Sequence, residues 1–131
     1  MQKIRLGKTE ITALQNGFGA LPIQRISKEE AVKLLRRAYE GGMRFFDTAR
    51  AYSDSEEKCG EAFADIRKDI FIATKTMAKT PEEFEKQLET SLTLLRTDYV
   101  DLYQFHCVDQ CWKPGDGTGM YECMQKAKES G

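Results

Sequence analysis

Three short apolar runs in this 131-residue chain lead into ionisable side chains of complementary type. Met43–Thr48 (MRFFDT) carries Asp47, Ile70–Thr74 (IFIAT) is followed by Lys75, and Val100–Phe105 (VDLYQF) is followed by His106. Tyr52 stands five residues past Asp47. If the three runs are strands of one parallel sheet, the four side chains meet at its C-terminal rim, where α/β folds hold their ligands. Taken singly, each has a plainer reading: a capping acid, a solvated lysine, a packing tyrosine, a turn histidine. Their common placement at strand ends is what points to a site.

The chemistry open to such a set is proton delivery. A carbonyl that accepts a hydride needs a proton at the developing alkoxide, and a free phenol, with a pKa of about 10, is a poor donor at neutral pH. An ammonium beside a phenol favours the phenolate and makes it a better acid. Lys75 is positioned in the sequence to play that part for Tyr52, Asp47 to orient Lys75, and His106 to hold the carbonyl oxygen or relay a proton.

Helical segments separate these runs. Ile11–Phe18 reads as a strand running into Gly17 and Gly19, and the preceding KIRLGKTE as an arm of a small N-terminal hairpin turning near Gly7 and Lys8. Ser27 and Glu30 form a capping box before a stripe of Ala31, Leu34, Leu35 and Ala38, which Gly41 and Gly42 stop. Ser55–Ala64 reads as a second helix with Glu56 and Glu57 in its first turn, where the helix dipole favours acids. Thr80, Pro81 and Glu83 open a third helix, striped by Phe84, Leu88, Leu92 and Leu95. A turn over Lys113–Gly119 leads to a last helix, Met120–Ser130. Strand and helix thus alternate four times, which predicts a parallel α/β sheet with right-handed crossovers, doubly wound or part of a (β/α) barrel.

The composition limits the function classes. Lys and Arg number 20 against 21 Asp and Glu, a net charge of −1 that excludes a basic nucleic-acid or anionic-membrane binder. No apolar run is long enough to span a bilayer, and the first residues, Met1 to Arg5, lack a signal peptide's apolar stretch, so a soluble, cytoplasmic protein is expected. The four cysteines, Cys59, Cys107, Cys111 and Cys123, suit reduced thiols. With His106 they match none of the common zinc or iron-sulfur spacings, so no metal site is expected.

The stretch Gly42, Met43, Arg44, Phe45, Phe46, Asp47, Thr48, Ala49, Arg50, Ala51, Tyr52, followed by Ser55, Glu56 and Gly60, resembles the aldo-keto reductase signature around its catalytic Asp and Tyr. IATK at 72–75 resembles that family's lysine strand, and the run from Leu92 and Leu95 through Thr97 to His106 resembles its third motif. The resemblance implies a TIM barrel and an NADP(H)-dependent carbonyl reductase. Tyr52 would be its general acid, Lys75 and Asp47 the electrostatic partners, and His106 the residue orienting a small-molecule aldehyde or ketone. It also implies early cofactor contacts at Asp47 and at the backbone of Gly19 and Ala20.

Members of that family run to about 300 residues and take most of their adenine and 2'-phosphate contacts from later strands. A chain of four βα units is therefore expected to be one N-terminal half-barrel over residues 1–131, binding the cofactor weakly or not at all by itself. The glycines at 115, 117 and 119 do not supply a GxGxxG cradle and read as a turn. Four strands cannot close a barrel, so raw edges and an open inner face predict a homo-oligomer or a complementing C-terminal half. The alternative is a non-catalytic half-barrel or pseudoenzyme that acts through self-association or partner binding.

Overall fold

Ser27 and Glu30 open the first helix as their spacing dictates. The Ser27 hydroxyl accepts the Glu30 N–H at 3.2 Å, and the Glu30 carboxylate accepts the Ser27 N–H at 3.0 Å. The helix, α1 (Lys28–Glu40), ends in a Schellman arrangement: Met43 N–H donates to the Ala38 carbonyl and Gly42 N–H to that of Tyr39. Gly42 takes φ of +98°, a conformation that a side chain would strain. The computed structural model describes residues 2–131, so Met1, named above with the N-terminal segment, lies outside them.

Two antiparallel strands, β1 (Lys3–Arg5) and β2 (Thr12–Leu14), form the N-terminal hairpin, with Gly7 at φ +55° in its turn. A four-stranded parallel sheet follows in the order β3 (Phe18–Gly19), β4 (Phe45–Asp47), β5 (Phe71–Thr76), β6 (Leu102–Phe105). The helices are α1, α2 (Ser55–Phe63), α3 (Pro81–Leu95) and α4 (Met120–Glu129). Each parallel strand is followed by one α-helix, with short 3-10 turns at Leu21–Arg25 and Arg67–Asp69, and neighbours in the sheet are neighbours in sequence. This is a partial TIM barrel.

Two sequence expectations need correction. Ile11–Phe18 is not a continuous strand: residues 12–14 pair with β1, and only Phe18 and Gly19 join the parallel sheet, opposite Phe46 and Asp47. Commitment of β2 to the hairpin forces the break, and the chain passes through Asn16 and Gly17 to reach β4. Gly17 lies so close to Phe45 that a Cβ there would meet its ring at 3.2 Å. In α3, Thr80 caps the Glu83 N–H, but Glu83 accepts from the Lys79 N–H at 2.9 Å rather than closing the box on Thr80.

Parallel register and the two-residue pleat divide the sheet into two faces. Phe46 pairs with Ile72, and both are buried against the helices with Leu35, Cys59, Phe63 and Leu95. Tyr103 and Phe105, on that same face, pack against Phe84 and Met120. Helices α2 and α3 touch at Gly60, where a Cβ would stand 2.1 Å from the Leu94 carbonyl oxygen. The opposite, concave face carries Phe45, Asp47, Phe71, Ala73, Lys75, Leu102 and Gln104. No helix covers it. A cavity of about 350 Å³ separates the hairpin from its N-terminal part, between Ile4, Leu6, Ile11 and Phe45. A second, of about 560 Å³, runs along the outer edge of β6, between Leu88, Leu92, Leu102 and Met124.

Among the described residues, no helix is long and apolar enough to cross a membrane.

Candidate active site

Asp47 closes β4 and Lys75 is the next-to-last residue of β5, one same-face step further up the barrel, because Asp47 pairs with Ala73. The ammonium of Lys75 therefore crosses diagonally to the neighbouring strand. It donates to Asp47 Oδ1 at 2.6 Å and to the Thr48 carbonyl at 2.7 Å. Lys75 is only 15% exposed while Asp47 keeps 34%, so the carboxylate faces the open concavity and the ammonium lies behind it.

The parallel ladder continues past the strands and fixes the loops above them. Thr48 N–H donates to the Ala73 carbonyl, Arg50 N–H to Lys75, and His106 N–H to Thr76. Tyr52 sits in the loop so anchored, its ring centroid 5.1 Å from Lys75 Nζ and 5.5 Å from the His106 ring, which it meets edge-on at 83°. The ammonium over the aromatic face is an attractive cation–π arrangement. Asp47, Tyr52, Lys75 and His106 are thus brought to one end of the concave face. The Nδ1 atom of His106 is buried and has no hydrogen-bond partner among the described residues.

Gly19 and Ala20 behave differently from one another. Gly19 pairs with Asp47 and is exposed, with open space where a side chain would stand. Ala20 is fully buried, its N–H donating to the Asp47 carbonyl at 2.8 Å and its carbonyl accepting from the Ser55 hydroxyl at 3.0 Å. Both backbone groups of Ala20 are committed inside the fold, the N–H to Asp47 and the carbonyl to Ser55. In the Lys113–Gly119 turn, Lys113 and Thr118 N–H groups donate to Asp116 within the turn, and Gly115 N–H donates to Glu122 on α4.

A layer of polar residues beneath the site went unread in the sequence. Glu56, expected as a dipole-favoured acid at the start of α2, is 0% exposed and accepts from Arg50 Nη1 and, at 2.6 Å, from the Thr74 hydroxyl. Thr48 and Ser55 share a hydrogen bond of 2.8 Å. Lys58 is buried too, and its ammonium binds the Ile23 and Ile26 carbonyls and Asp54 Oδ1. The available signal was local: Glu56 and Lys58 occupy helix positions flanked by the buried Ser55, Cys59 and Ala62.

The site stands on a partial barrel that matches known proteins across its length. The family model described as aldo/keto reductase family covers residues 13–131. The chain belongs to the aldo-keto reductase family. An uncharacterized oxidoreductase of Bacillus subtilis is 32% identical over 120 residues, covering 81% of this chain and 39% of that protein. Dihydrodiol dehydrogenase 3 of Bos taurus is 36% identical over 109 residues, covering 76% and 33%. Among solved structures, an aldo-keto reductase from Bacillus halodurans in its holo form superposes with a TM-score of 0.80 at 29% identity, covering all of this chain and 46% of that one. A thermostable aldo-keto reductase solved with the inhibitor epalrestat gives a TM-score of 0.83, also at 29% identity, covering 99% and 50%. This aldo-keto reductase chain spans less than half the length of the curated relatives it matches here.

Proposed function

We propose that the chain is the N-terminal half of an NADP(H)-dependent carbonyl reductase, over residues 1–131, with Tyr52 as the proton donor to the nascent alcohol oxygen. The observation that carries this reading is the placement of Lys75 Nζ, 2.6 Å from Asp47 and 5.1 Å from the Tyr52 ring. A cation held there lowers the energy of the phenolate that proton transfer leaves behind. Asp47 and the Thr48 carbonyl fix that cation, and the carbonyl oxygen of an aldehyde or ketone is oriented by His106 against Tyr52.

The residues present suit the reactive end of the cofactor. The open backbone at Gly19 and the part-exposed Asp47 carboxylate would hold the nicotinamide ribose, with Ala20 fixing Asp47 from below. The nicotinamide, when bound, supplies the hydride to the carbonyl carbon. Lys75 and Arg50 are already paired with Asp47 and Glu56, so neither is free for a cofactor phosphate. The concave face and the β6 edge support closure of the barrel by a second copy or by a C-terminal half, and sedimentation equilibrium of the chain by itself distinguishes the two, since only the first gives a dimer.

Two measurements test the reading. In the completed barrel, Tyr52→Phe should abolish carbonyl reduction while NADPH still binds, and unchanged turnover would overturn the role given to Tyr52. Fluorescence titration of the 131-residue chain should show weak NADPH binding or none, whereas micromolar affinity would assign a sufficient cofactor site to this half.

A further inference from the structure

Glu56 is the one carboxylate among the described residues that is fully buried, and its two oxygens reach two different parts of the barrel. Oε2 accepts from Arg50 Nη1, and Oε1 from the hydroxyl of Thr74, the residue before Lys75 on β5. Arg50 then bridges the loop that holds Tyr52. Its Nη2 donates to the Ser53 carbonyl at 3.2 Å, one residue past Tyr52, while its own N–H donates to the Lys75 carbonyl at 3.0 Å.

We propose that Glu56 is a positioning residue that ties Arg50 to Thr74 and so holds the Tyr52 loop against the strand carrying Lys75. The functional weight of that position rests on the reading of Tyr52 as proton donor, but the tether itself is a property of the chain. Ser53 gives a physical reason for a tether. It takes φ of +41°, a left-handed conformation unfavourable for a residue with a Cβ, and it persists only where surroundings enforce it. The enforcing contacts are Arg50 on the Ser53 carbonyl and Gln24, whose side-chain oxygen accepts from the Ser53 hydroxyl at 3.0 Å. Burial makes the Arg50–Glu56 bond resistant to solvent competition, which an exposed pair would not be. Without the carboxylate, Arg50 loses the anchor that aims its second nitrogen at Ser53, and the loop regains the freedom to carry Tyr52 away from Lys75 and His106.

The test is nuclear magnetic resonance on the full 131-residue chain, wild type against Glu56→Gln. Gln has one oxygen in place of two, so either Thr74 keeps its acceptor and an amide donor faces Arg50, or a neutral oxygen faces Arg50 and the amide faces Thr74. The expected result is loss of the cross-relaxation between the Tyr52 and His106 rings and at least about tenfold faster hydrogen exchange at the Tyr52 amide, with amides of α1 and β5 unchanged. Should Glu56→Gln not fold, Thr74→Val decides, because it removes one bond to Glu56 while keeping side-chain shape. A Tyr52–His106 contact that survives in a folded variant, with only the melting temperature lowered, assigns Glu56 to stability alone and overturns the proposal. Failure of Tyr52→Phe to affect turnover would instead strike the role of Tyr52 and leave this contact measurement standing.

Discussion

Lys75 on β5 and Asp47 on β4 meet at 2.6 Å across adjacent parallel strands, with the ammonium more deeply buried than its partner. Asp47→Asn removes the countercharge and leaves that ammonium with neutral acceptors only, the amide oxygen at position 47 and the Thr48 carbonyl. The expected cost is about 1–2 kcal/mol in urea unfolding, less than for a fully buried pair because Asp47 is one-third exposed. Glu10→Gln breaks the exposed Arg5–Glu10 pair of the hairpin and should change stability by less than about 0.5 kcal/mol.

Gly60→Ala should be far more damaging than an ordinary helix glycine replacement. Elsewhere in a helix alanine gains up to about 1 kcal/mol over glycine. Here its Cβ would lie 2.1 Å from a backbone oxygen of α3, so α2 and α3 must separate. A loss of about 2–3 kcal/mol is expected from the overpacking, read as a lower urea midpoint.

The cysteines should sort by burial when titrated with a thiol reagent. Burial pushes the Cys59 thiol up to about 12, leaving almost no thiolate at neutral pH. Cys107 and Cys111 are exposed and should react first, the half-buried Cys123 later, and Cys59 only in denaturant. Fast native-state modification of Cys59 would contradict its burial on the sheet-facing side of α2.

Acid should loosen the start of α1. Hydrogen bonds from the Ser27 hydroxyl and N–H hold the Glu30 carboxyl below its ordinary value of 4.5. A depressed folded value means that its stabilising contribution is present above that ordinary value and fades as pH falls through the folded one. The protection factor of the Ala31 amide, which bonds to the Ser27 carbonyl, should fall on acidification below the ordinary carboxyl value of 4.5 in the wild type. Glu30→Gln should flatten that dependence.

The strand–helix alternation was legible because local signals agree with the fold: Ser27 and Glu30 cap α1, Pro81 opens α3, and the apolar runs pair in the expected order. Ile11–Phe18 misled because one apolar segment serves two sheets, a division set by the hairpin's partner strand rather than by residue type. Glu56 and Lys58 escaped for a similar reason. A charged residue in the first turn of a helix reads as solvated until something distant in sequence, here Thr74 or Ile23, is folded against it.

The sequence by itself determined that an acid, an ammonium and an imidazole follow three successive apolar runs, and because helices alternate with those runs the strands are parallel and their terminal polar residues share one rim. Tertiary structure decided what those groups touch. Register set Asp47 one step below Lys75 so that the two meet diagonally, and the continued ladder from Arg50 to Lys75 set Tyr52 beside them. Distances of this kind depend on which backbone groups pair across tens of residues, and no local propensity encodes that.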